Sequence, residues 1–348
     1  ARIYAFHEAG APQGFSLATA KGLDCSARYV PISPVGLYVP GGSAPLISTV
    51  MMLAIPASIA GCDEVVLCTP PGPGGEVDPA LLAAAWHCGL RHVVRSGGAQ
   101  AIAAMAAGTD SVPACAKIYG PGNAWVTEAK RQVSAQPGGP AQDMPAGPSE
   151  VLVIADALAD PDTVGWDLLS QAEHGPDSQA VLLSDSRELL EITAKGLPRL
   201  AAQTERAAIL EDALHNLRLI EVADLDEAIE VSNRYAPEHL IINTGNAEAL
   251  LEKVTAAGSV FLGRWTPESL GDYSSGTNHV LPTYGHARAH SGLAVTDFMR
   301  RMTVQRATPQ GLAIAGADAM QIATAEGLGA HRMAVSWRLA QIAREQGQ

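Results

Sequence analysis

Short runs of β-branched residues alternate with longer helical segments over most of the chain, and this alternation constrains the fold more than any other feature. The pattern predicts α/β layers with parallel strands, because each helix carries the chain back to begin the next strand in the same direction. Strands are predicted near residues 65–68, 92–94, 117–119, 150–154, 181–183, 217–222, 239–242 and 259–262. Helices are predicted near residues 45–61, 79–87, 98–107, 124–133, 166–173, 186–202, 225–233 and 247–256.

The strands fall into two rounds, which predicts two Rossmann-like α/β domains. A chain of 348 residues is also longer than the ~250–300 residues at which a single core stops growing. The first domain is predicted at 37–148 and the second at 149–277. The last segment, 294–348, is predicted to be a helical tail, with helices near 311–325 and 330–345, that packs on a neighbouring domain or a second subunit.

The charge balance limits the partners that the chain can have. Hydrophobic residues make up 47% and charged residues only 17% of the sequence, which is typical of a well-buried globular protein. The formal net charge of −13 repels phosphate backbones and anionic lipid. We therefore expect neither a nucleic acid nor a membrane partner, although a dinucleotide held by local backbone N–H groups stays possible.

Cysteine usage indicates a reducing compartment. The sequence has five cysteines and no CxxC pair, which argues against a disulfide framework and against a thiolate zinc site. We expect these cysteines to be small buried apolar residues and the protein to be cytoplasmic.

Glycine-rich turns are the first candidates for ligand binding. The GxGxxG fingerprint of dinucleotide-binding domains is absent, so any Rossmann-like domain here is incomplete. Gly41-Gly42, Gly97-Gly98 and the turn 120–123 each lie between a predicted strand and a helix. Glycine at such turns lets backbone N–H groups approach phosphates, but ordinary α/β turns have the same composition. Both interpretations stay open on the residues alone.

Gln171 and His174 are candidate metal ligands because they lie three residues apart at a helix end and thus on one face. On spacing alone Glu173 is a better ligand than Gln171, and a polar, capped helix end explains all three residues equally well. Asp272 and His279 belong to a polar, glycine-flanked segment predicted to be a loop, where they could supply a carboxylate and a second imidazole.

Glu238 and His239 precede an apolar strand, and a carboxyl group beside an imidazole suits proton transfer near neutral pH. Adjacent residues of an extended segment point to opposite sides, so we expect the two side chains to serve different targets. An exposed surface pair is the alternative.

Taken in order, long motifs of this chain resemble those of histidinol dehydrogenases. The resemblance covers most of the chain from residue 36 onward and is highly specific. The matching segments are GLYVPGGSAPLISTV (36–50), GGAQAIAA (97–104), IYGPGNAWVTEAKRQV (118–133), DMPAGPSEVLVIAD (143–156), DLLSQAEHGPDSQ (167–179), RYAPEHL (234–240), GSVFLGRWTPESLGDYSSGTNHVLPT (258–283) and EGLGAHRMAV (326–335).

The resemblance implies roles for individual residues and favours Gln171 over Glu173. It makes His239 the general base and Glu238 the acid that activates water. The implied zinc ligands are Gln171, His174, Asp272 and His331, the last reaching the site of the other subunit. The implied NAD contacts are Tyr38, Gln100 and Asn123. The implied substrate contacts are Ser149, Gln171, His174, His239, Asp272, Glu326 and His331.

The resemblance also implies a homodimer with shared active sites, one zinc ion per subunit, and oxidation of L-histidinol to L-histidine through L-histidinaldehyde with NAD. Its domains would be an NAD-binding domain at 37–148 with a return segment at 278–293, a substrate and zinc domain at 149–277, and a dimer arm at 294–348. Residues 1–36 would lack part of the N-terminal helices usual in the family. The alternatives are a relative acting on another polar alcohol, such as a sulfonated diol, a zinc hydrolase, and a non-catalytic metal-binding module.

Overall fold

The computed structural model describes residues 1–41, 46–145 and 147–347, and these divide into two compact units. The larger unit contains the described residues of 1–11 and 32–298, and the smaller unit contains those of 12–31 and 299–347. Helix α1 (Arg2–Ala9) opens the larger unit, and the hairpin of β1 (Phe15–Ala20) and β2 (Leu23–Pro31) opens the smaller one. Among the described residues, no helix has the length and apolar character needed to cross a bilayer.

The first five-stranded sheet of the larger unit is entirely parallel, in the order β5-β4-β3-β6-β7. Its strands are β3 (Val35–Tyr38), β4 (Val65–Thr69), β5 (His92–Arg95), β6 (Lys117–Tyr119) and β7 (Ala141–Gln142). Its helices are α2 (Ile47–Ala60), α3 (Pro79–His87), α4 (Gly98–Ala107) and α5 (Ala124–Ser134). Local signals set the helix ends: Asp78 accepts from the Ala80 N–H at 2.8 Å to begin α3, and Gly61 ends α2 in the left-handed conformation.

The second sheet is also parallel and has the order β10-β9-β8-β11-β12. Its strands are β8 (Glu150–Ala155), β9 (Gln179–Ser184), β10 (Arg218–Glu221), β11 (His239–Asn243) and β12 (Ser259–Leu262). Its helices are α6 (Pro161–Ala172), α7 (Arg187–Ala201), α8 (Ala207–Ala213), α9 (Leu225–Tyr235), α10 (Ala247–Leu251) and α11 (Glu268–Tyr273). Every residue of β8 and β11 is buried, as expected for central strands covered by helices on both faces.

The order of the strands decides where ligands can bind. In each sheet the strands are added first on one side of the central strand and then on the other, so the strand order switches between β3 and β6 in the first sheet and between β8 and β11 in the second. Open α/β sheets usually bind ligands at the carboxyl ends of the strands at this point. The second sheet departs from this rule, because the polar residues Glu150 and His239 begin β8 and β11 at their amino ends.

The smaller unit consists of an antiparallel sheet and two helices. Strand β13 (Met299–Ala307) pairs with β2 over nine residues, which gives the order β1-β2-β13. Helices α12 (Pro309–Ala325) and α13 (Gly329–Glu345) follow and pack against each other. Thr308 caps α12 by accepting from the Gly311 N–H at 3.2 Å, and Pro309 occupies the first helical turn.

The structure confirms the two rounds of α/β elements and the two C-terminal helices but corrects three expectations. The predicted helical tail 294–348 contains strand β13, whose residues are nearly all exposed and so lack the apolar alternation that marks a strand. The predicted loop at 271–279 begins as helix, because Asp272 lies in α11. The helix predicted at 247–256 ends at Leu251. Gly42, predicted to form a glycine turn, lies outside the described residues.

Candidate active site

A cleft of about 1300 Å³ lies in the larger unit, between the carboxyl ends of β3 and β6 and the amino ends of β8 and β11. This volume exceeds the ~300–1,000 Å³ that is typical of a small-molecule site. The cleft brings together several residues that the sequence marks as candidates. Its walls include Asn123, Ser149, His174, Glu238, His239, Asp272 and His279.

Glu238 and His239 are held by the main chain of one residue, Glu150. The Glu150 N–H donates to Glu238 Oε2 at 2.9 Å, and His239 Nδ1 donates to the Glu150 carbonyl at 3.1 Å. Both side chains are buried, and Glu238 Oε2 lies 3.7 Å from His239 Nδ1. The expectation that they point to opposite sides is therefore wrong. Glu238 lies before the first paired residue of β11 and follows Ala236, whose φ of 56° turns the chain, so strand alternation does not apply to it.

The hydrogen bond to Glu150 determines the state of the His239 ring. A carbonyl oxygen can only accept, so Nδ1 carries the proton and Nε2 keeps its lone pair. Burial lowers the pKa of His239, which keeps the ring neutral at pH 7. Nε2 has no hydrogen-bond partner among the described residues and lies 3.7 Å from Asp272 Oδ1. The His239 ring can thus accept a proton on Nε2, the ring nitrogen that lies near Asp272.

Burial raises the pKa of Glu238 well above its ordinary value, and the neighbouring carboxyl groups of Glu150 and Asp272 raise it further. A carboxylate in this setting is a much stronger base than one in water, because protonation removes a buried charge. The ionised form of Glu238 is therefore suited to taking a proton from a bound water molecule.

A group suited to a metal ion lies beside this pair. Ligand atoms of His174, Glu268 and Asp272 all lie within 4.8 Å of one another. Glu268 and Asp272 are four residues apart on α11 and so share one face, while His174 follows the end of α6. Burial raises the pKa of Asp272 to about 7 and that of Glu268 well above its usual range. A divalent cation would offset this concentration of buried carboxylates, and imidazole with carboxylate oxygen is a donor set that zinc accepts.

Gln171 is fully buried beneath the cleft and touches the metal group through Glu268. With its amide nitrogen turned towards that carboxylate, Gln171 donates to Glu268 Oε1 at 2.8 Å and to Oε2 at 3.2 Å. Glu268 thereby fixes which amide atom of Gln171 is committed to the protein and which is left for another partner. The amide nitrogen of Gln171 is thus committed to Glu268, one of the three residues of the metal group.

The predicted dinucleotide contacts lie around the switch point of the first sheet. The Tyr38 hydroxyl accepts from the Gly98 N–H at 2.9 Å, which ties the end of β3 to the start of α4. Asn123 caps α5, since its Oδ1 accepts from the Trp125 and Val126 N–H groups, both at 3.1 Å. These turns lie at the N-termini of α4 and α5, where main-chain N–H groups can bind the phosphates of a dinucleotide.

Not every predicted contact reaches the cleft. Tyr38 is buried and Gln100 is exposed at the start of α4, and neither is part of the cleft wall, whereas Asn123 is. Glu326 and His331 belong to the smaller unit, where both are exposed.

Three residues of the site were not predicted as functional. Glu268 lies four residues before Asp272, and Asp167 lies four before Gln171 and seven before His174, so helical spacing alone could have found both. Asp167 is buried on α6, and burial raises its pKa to about 7. Glu150 acts through its main chain, which leaves no signal in the sequence.

A family model, curated relatives and a solved structure all match nearly the whole chain to histidinol dehydrogenases. The family described as histidinol dehydrogenase matches residues 1–339. The histidinol dehydrogenase of Xanthomonas campestris pv. campestris (strain 8004) is 59% identical over 339 residues, which cover 97% of this chain and 78% of that protein. The crystal structure of histidinol dehydrogenase from Elizabethkingia anophelis superposes with a TM-score of 0.95 at 46% identity, covering 98% of this chain and 78% of the other.

A more distant structure shares only the fold. The aldehyde dehydrogenase from Bacillus cereus, G224D mutant, has a TM-score of 0.58 at 14% identity and covers 87% of this chain and 74% of that one.

Proposed function

The chain belongs to the histidinol dehydrogenase family, and we propose that the cleft of its larger unit is the site where it oxidises L-histidinol to L-histidine. The family reaction belongs to histidine biosynthesis, depends on NAD and zinc, and passes through L-histidinaldehyde in two successive hydride transfers. The observation that carries the proposal is the neutral His239 ring, whose Nε2 is free to accept a proton beside the metal group.

In the first half of the reaction, His239 Nε2 takes the proton from the hydroxyl oxygen of histidinol, and the carbon that bears this oxygen gives hydride to NAD, which leaves the aldehyde. Three acidic side chains surround the imidazolium that forms, and a positive ring beside them favours their ionised forms, so the ring and the carboxylates stabilise each other. Asp272 Oδ1 lies 3.7 Å from Nε2, and Glu238 and Glu268 lie 3.7 and 3.8 Å from Nδ1. Acidic groups held in place around a developing positive charge lower the barrier to proton transfer.

In the second half, Glu238 takes a proton from the water that attacks the aldehyde carbon. The main-chain N–H of Glu150 holds the carboxylate of Glu238 in position. Burial raises the pKa of Glu238, so its carboxylate is a stronger base than that of an ordinary glutamate. A buried cleft also keeps the reactive aldehyde from escaping between the two halves.

We assign the zinc ion to Gln171, His174 and Asp272, with His331 of the partner subunit as the fourth ligand. When bound, zinc would anchor the imidazole and amino nitrogens of the substrate and so orient its alcohol. Ser149 lines the cleft and is assigned to the substrate, together with Glu326 of the partner subunit. Glu268 supports this arrangement by fixing the amide of Gln171.

We assign NAD to the first sheet, with contacts from Tyr38, Gln100 and Asn123. The NAD-binding domain would be 37–148 with the return segment 278–293, and the substrate and zinc domain would be 149–277. Support for this assignment comes from Asn123, which lies both on the cleft wall and at the N-terminus of α5.

We further propose that the chain forms a homodimer in which the segment 294–348 is the dimer arm. The smaller unit exposes large apolar side chains on both its sheet and its helices, which is typical of a surface that binds another protein. These include Phe15 (54% exposed), Leu17 (58%), Ile322 (59%) and Trp337 (60%). The five free cysteines support a cytoplasmic location, and the net charge of −13 speaks against nucleic acid as a partner.

The test is NADH formation on mixing the zinc-loaded protein with L-histidinol and NAD. We expect turnover with histidinol and little with alcohols that lack the imidazole or the amine. Faster turnover with a sulfonated diol would indicate a relative with another substrate. Substrate cleavage without any NADH would indicate a hydrolase and contradict the proposal.

A further inference from the structure

A buried ion pair lies directly behind the turn that carries Asn123. Lys130 Nζ and Asp143 Oδ1 form this pair, and their side chains are only 8% and 2% exposed. Both ions also bind the main chain of one residue, Gly120. Asp143 Oδ2 accepts from the Gly120 N–H at 2.7 Å, and Lys130 Nζ donates to the Gly120 carbonyl at 3.0 Å. Both polar main-chain groups of Gly120 are therefore held by charged side chains, which fixes the peptide units on either side of this residue.

Gly120 cannot shift easily towards the sheet. Its φ of +113° is a conformation that favours glycine, and a Cβ at this position would collide with the main-chain oxygen of Tyr38. The turn thus fits closely between Tyr38 on one side and the ion pair on the other. Its outer end is Asn123, which caps α5, and Lys130 extends from α5 two turns later. Turn, helix and lysine therefore form a closed loop.

Buried ion pairs rarely add net stability over apolar side chains, because both charges must leave water. They do impose a fixed geometry, since any displacement leaves a buried charge without its partner. The pair of Lys130 and Asp143 is thus better suited to holding one conformation of the turn than to stabilising the fold.

We propose that Lys130 and Asp143 are positioning residues that set the affinity of this chain for NAD by clamping the turn from Gly120 to Asn123. Neither residue is part of the cleft wall, so their effect passes through the main chain of Gly120. The proposal rests on the proposed binding of NAD at this turn. It extends that function by naming what holds the turn in its binding conformation.

The test uses the double variant Lys130→Met with Asp143→Asn, which removes the clamp without leaving one charge buried alone. We expect NAD to bind at least about tenfold more weakly by calorimetry, within the ~10²-fold range that displacement of a positioning element can cost. The KM for NAD should rise in parallel, while zinc content and the KM for histidinol stay unchanged.

Leu189→Ala is the matched control, because Leu189 is buried in the core of the other sheet and its truncation destabilises the unit without touching the turn. It should leave the affinity for NAD unchanged. Hydrogen exchange of the wild-type protein adds a measurement that needs no variant. Before NAD is added, the Gly120 N–H should already exchange slowly.

The outcomes separate the clamp from the proposed function. A folded double variant that binds NAD as tightly as the wild type overturns the clamp alone, as does fast exchange of the Gly120 N–H. A wild-type chain that binds no NAD overturns the proposed function and the clamp with it.

Discussion

His239 Nδ1 donates a hydrogen bond of 3.1 Å to the main-chain carbonyl of Glu150, across the parallel strands β11 and β8. This contact leaves Nε2 without a proton and without a partner among the described residues. Because the acceptor is the main-chain carbonyl of Glu150, a substitution at position 150 would break this hydrogen bond only if it moved the strand. The position of the proposed general base therefore follows directly from the pairing of two buried strands.

We predict that His239→Asn lowers kcat for histidinol oxidation by at least ~10²-fold, the usual contribution of a positioned general base. Asparagine can still donate to the Glu150 carbonyl, but it offers no nitrogen that can accept the alcohol proton. Zinc content and NAD affinity should stay unchanged. His87→Asn, at an exposed helix end, is the matched control. Turnover near that of the wild type in His239→Asn would remove His239 from its role.

We predict that Glu268→Gln weakens zinc binding by ~10–100-fold, although Glu268 is not one of the proposed ligands. Its carboxylate accepts from the Gln171 amide at 2.8 Å, and this contact orients the proposed ligand. Zinc affinity is measured by competition with a chelator. Glu173→Gln is the control, because Glu173 lies outside the metal group and should keep full affinity. Equal losses in both variants would contradict the role of Glu268.

Much of the fold could be predicted because the strands of the two parallel sheets are short apolar runs. Helix α3 and strand β6 have the predicted bounds. Asp78 and Pro79 mark the start of α3, and Gly120 follows the last residue of β6. Strand β13 escaped prediction because its stability comes from nine residues of pairing with β2 and not from a buried face. Local sequence does not encode such a partner.

The candidate site was only partly predictable for the same reason. Glu238 and His239 stand out in the sequence because they precede an apolar strand, and His174 and Asp272 stand out as polar residues beside glycine. Their convergence is tertiary, because β8, β11, α6 and α11 bring together residues from four parts of the chain. Lys130 and Asp143 lie in two of the segments that resemble histidinol dehydrogenases, but nothing local in either segment predicts that the two side chains form an ion pair.

We predict that two inactive variants restore activity when combined, because in the proposed homodimer each site draws His331 from the partner subunit. His331→Asn and His174→Asn are mixed, exchanged by mild denaturation, and refolded with zinc. In a heterodimer one site collects both lesions and the other has none, so activity should approach half the wild-type sites. Verified heterodimers without activity would mean that His331 acts within its own chain.

We predict that the free energy of unfolding falls above pH 9 because of buried thiols. Burial raises the pKa of Cys115 from its ordinary value of 9.0 to about 12, and that of Cys68 to about 11. Between these values the unfolded chain loses the proton while the folded chain keeps it, so stability present below pH 9 is lost as pH rises. By about pH 10, one such thiol costs ~1.4 kcal/mol. Denaturant unfolding of Cys115→Ala should show a smaller loss between about pH 8 and about pH 10, and an unchanged loss would contradict this account.

The most direct test of the account counts NADH formed per histidinol when histidinol is limiting and NAD is in excess. The wild type should form two NADH per histidinol, because the alcohol and then the aldehyde are oxidised in one cleft. In a single turnover, Glu238→Gln should release close to one NADH with aldehyde accumulating, since water is a reactant only in the second half. Glu238 is buried beside His239, so retention of zinc and NAD binding must be verified in the same sample. A wild-type count of one NADH, or equal losses in both halves for Glu238→Gln, would contradict the account.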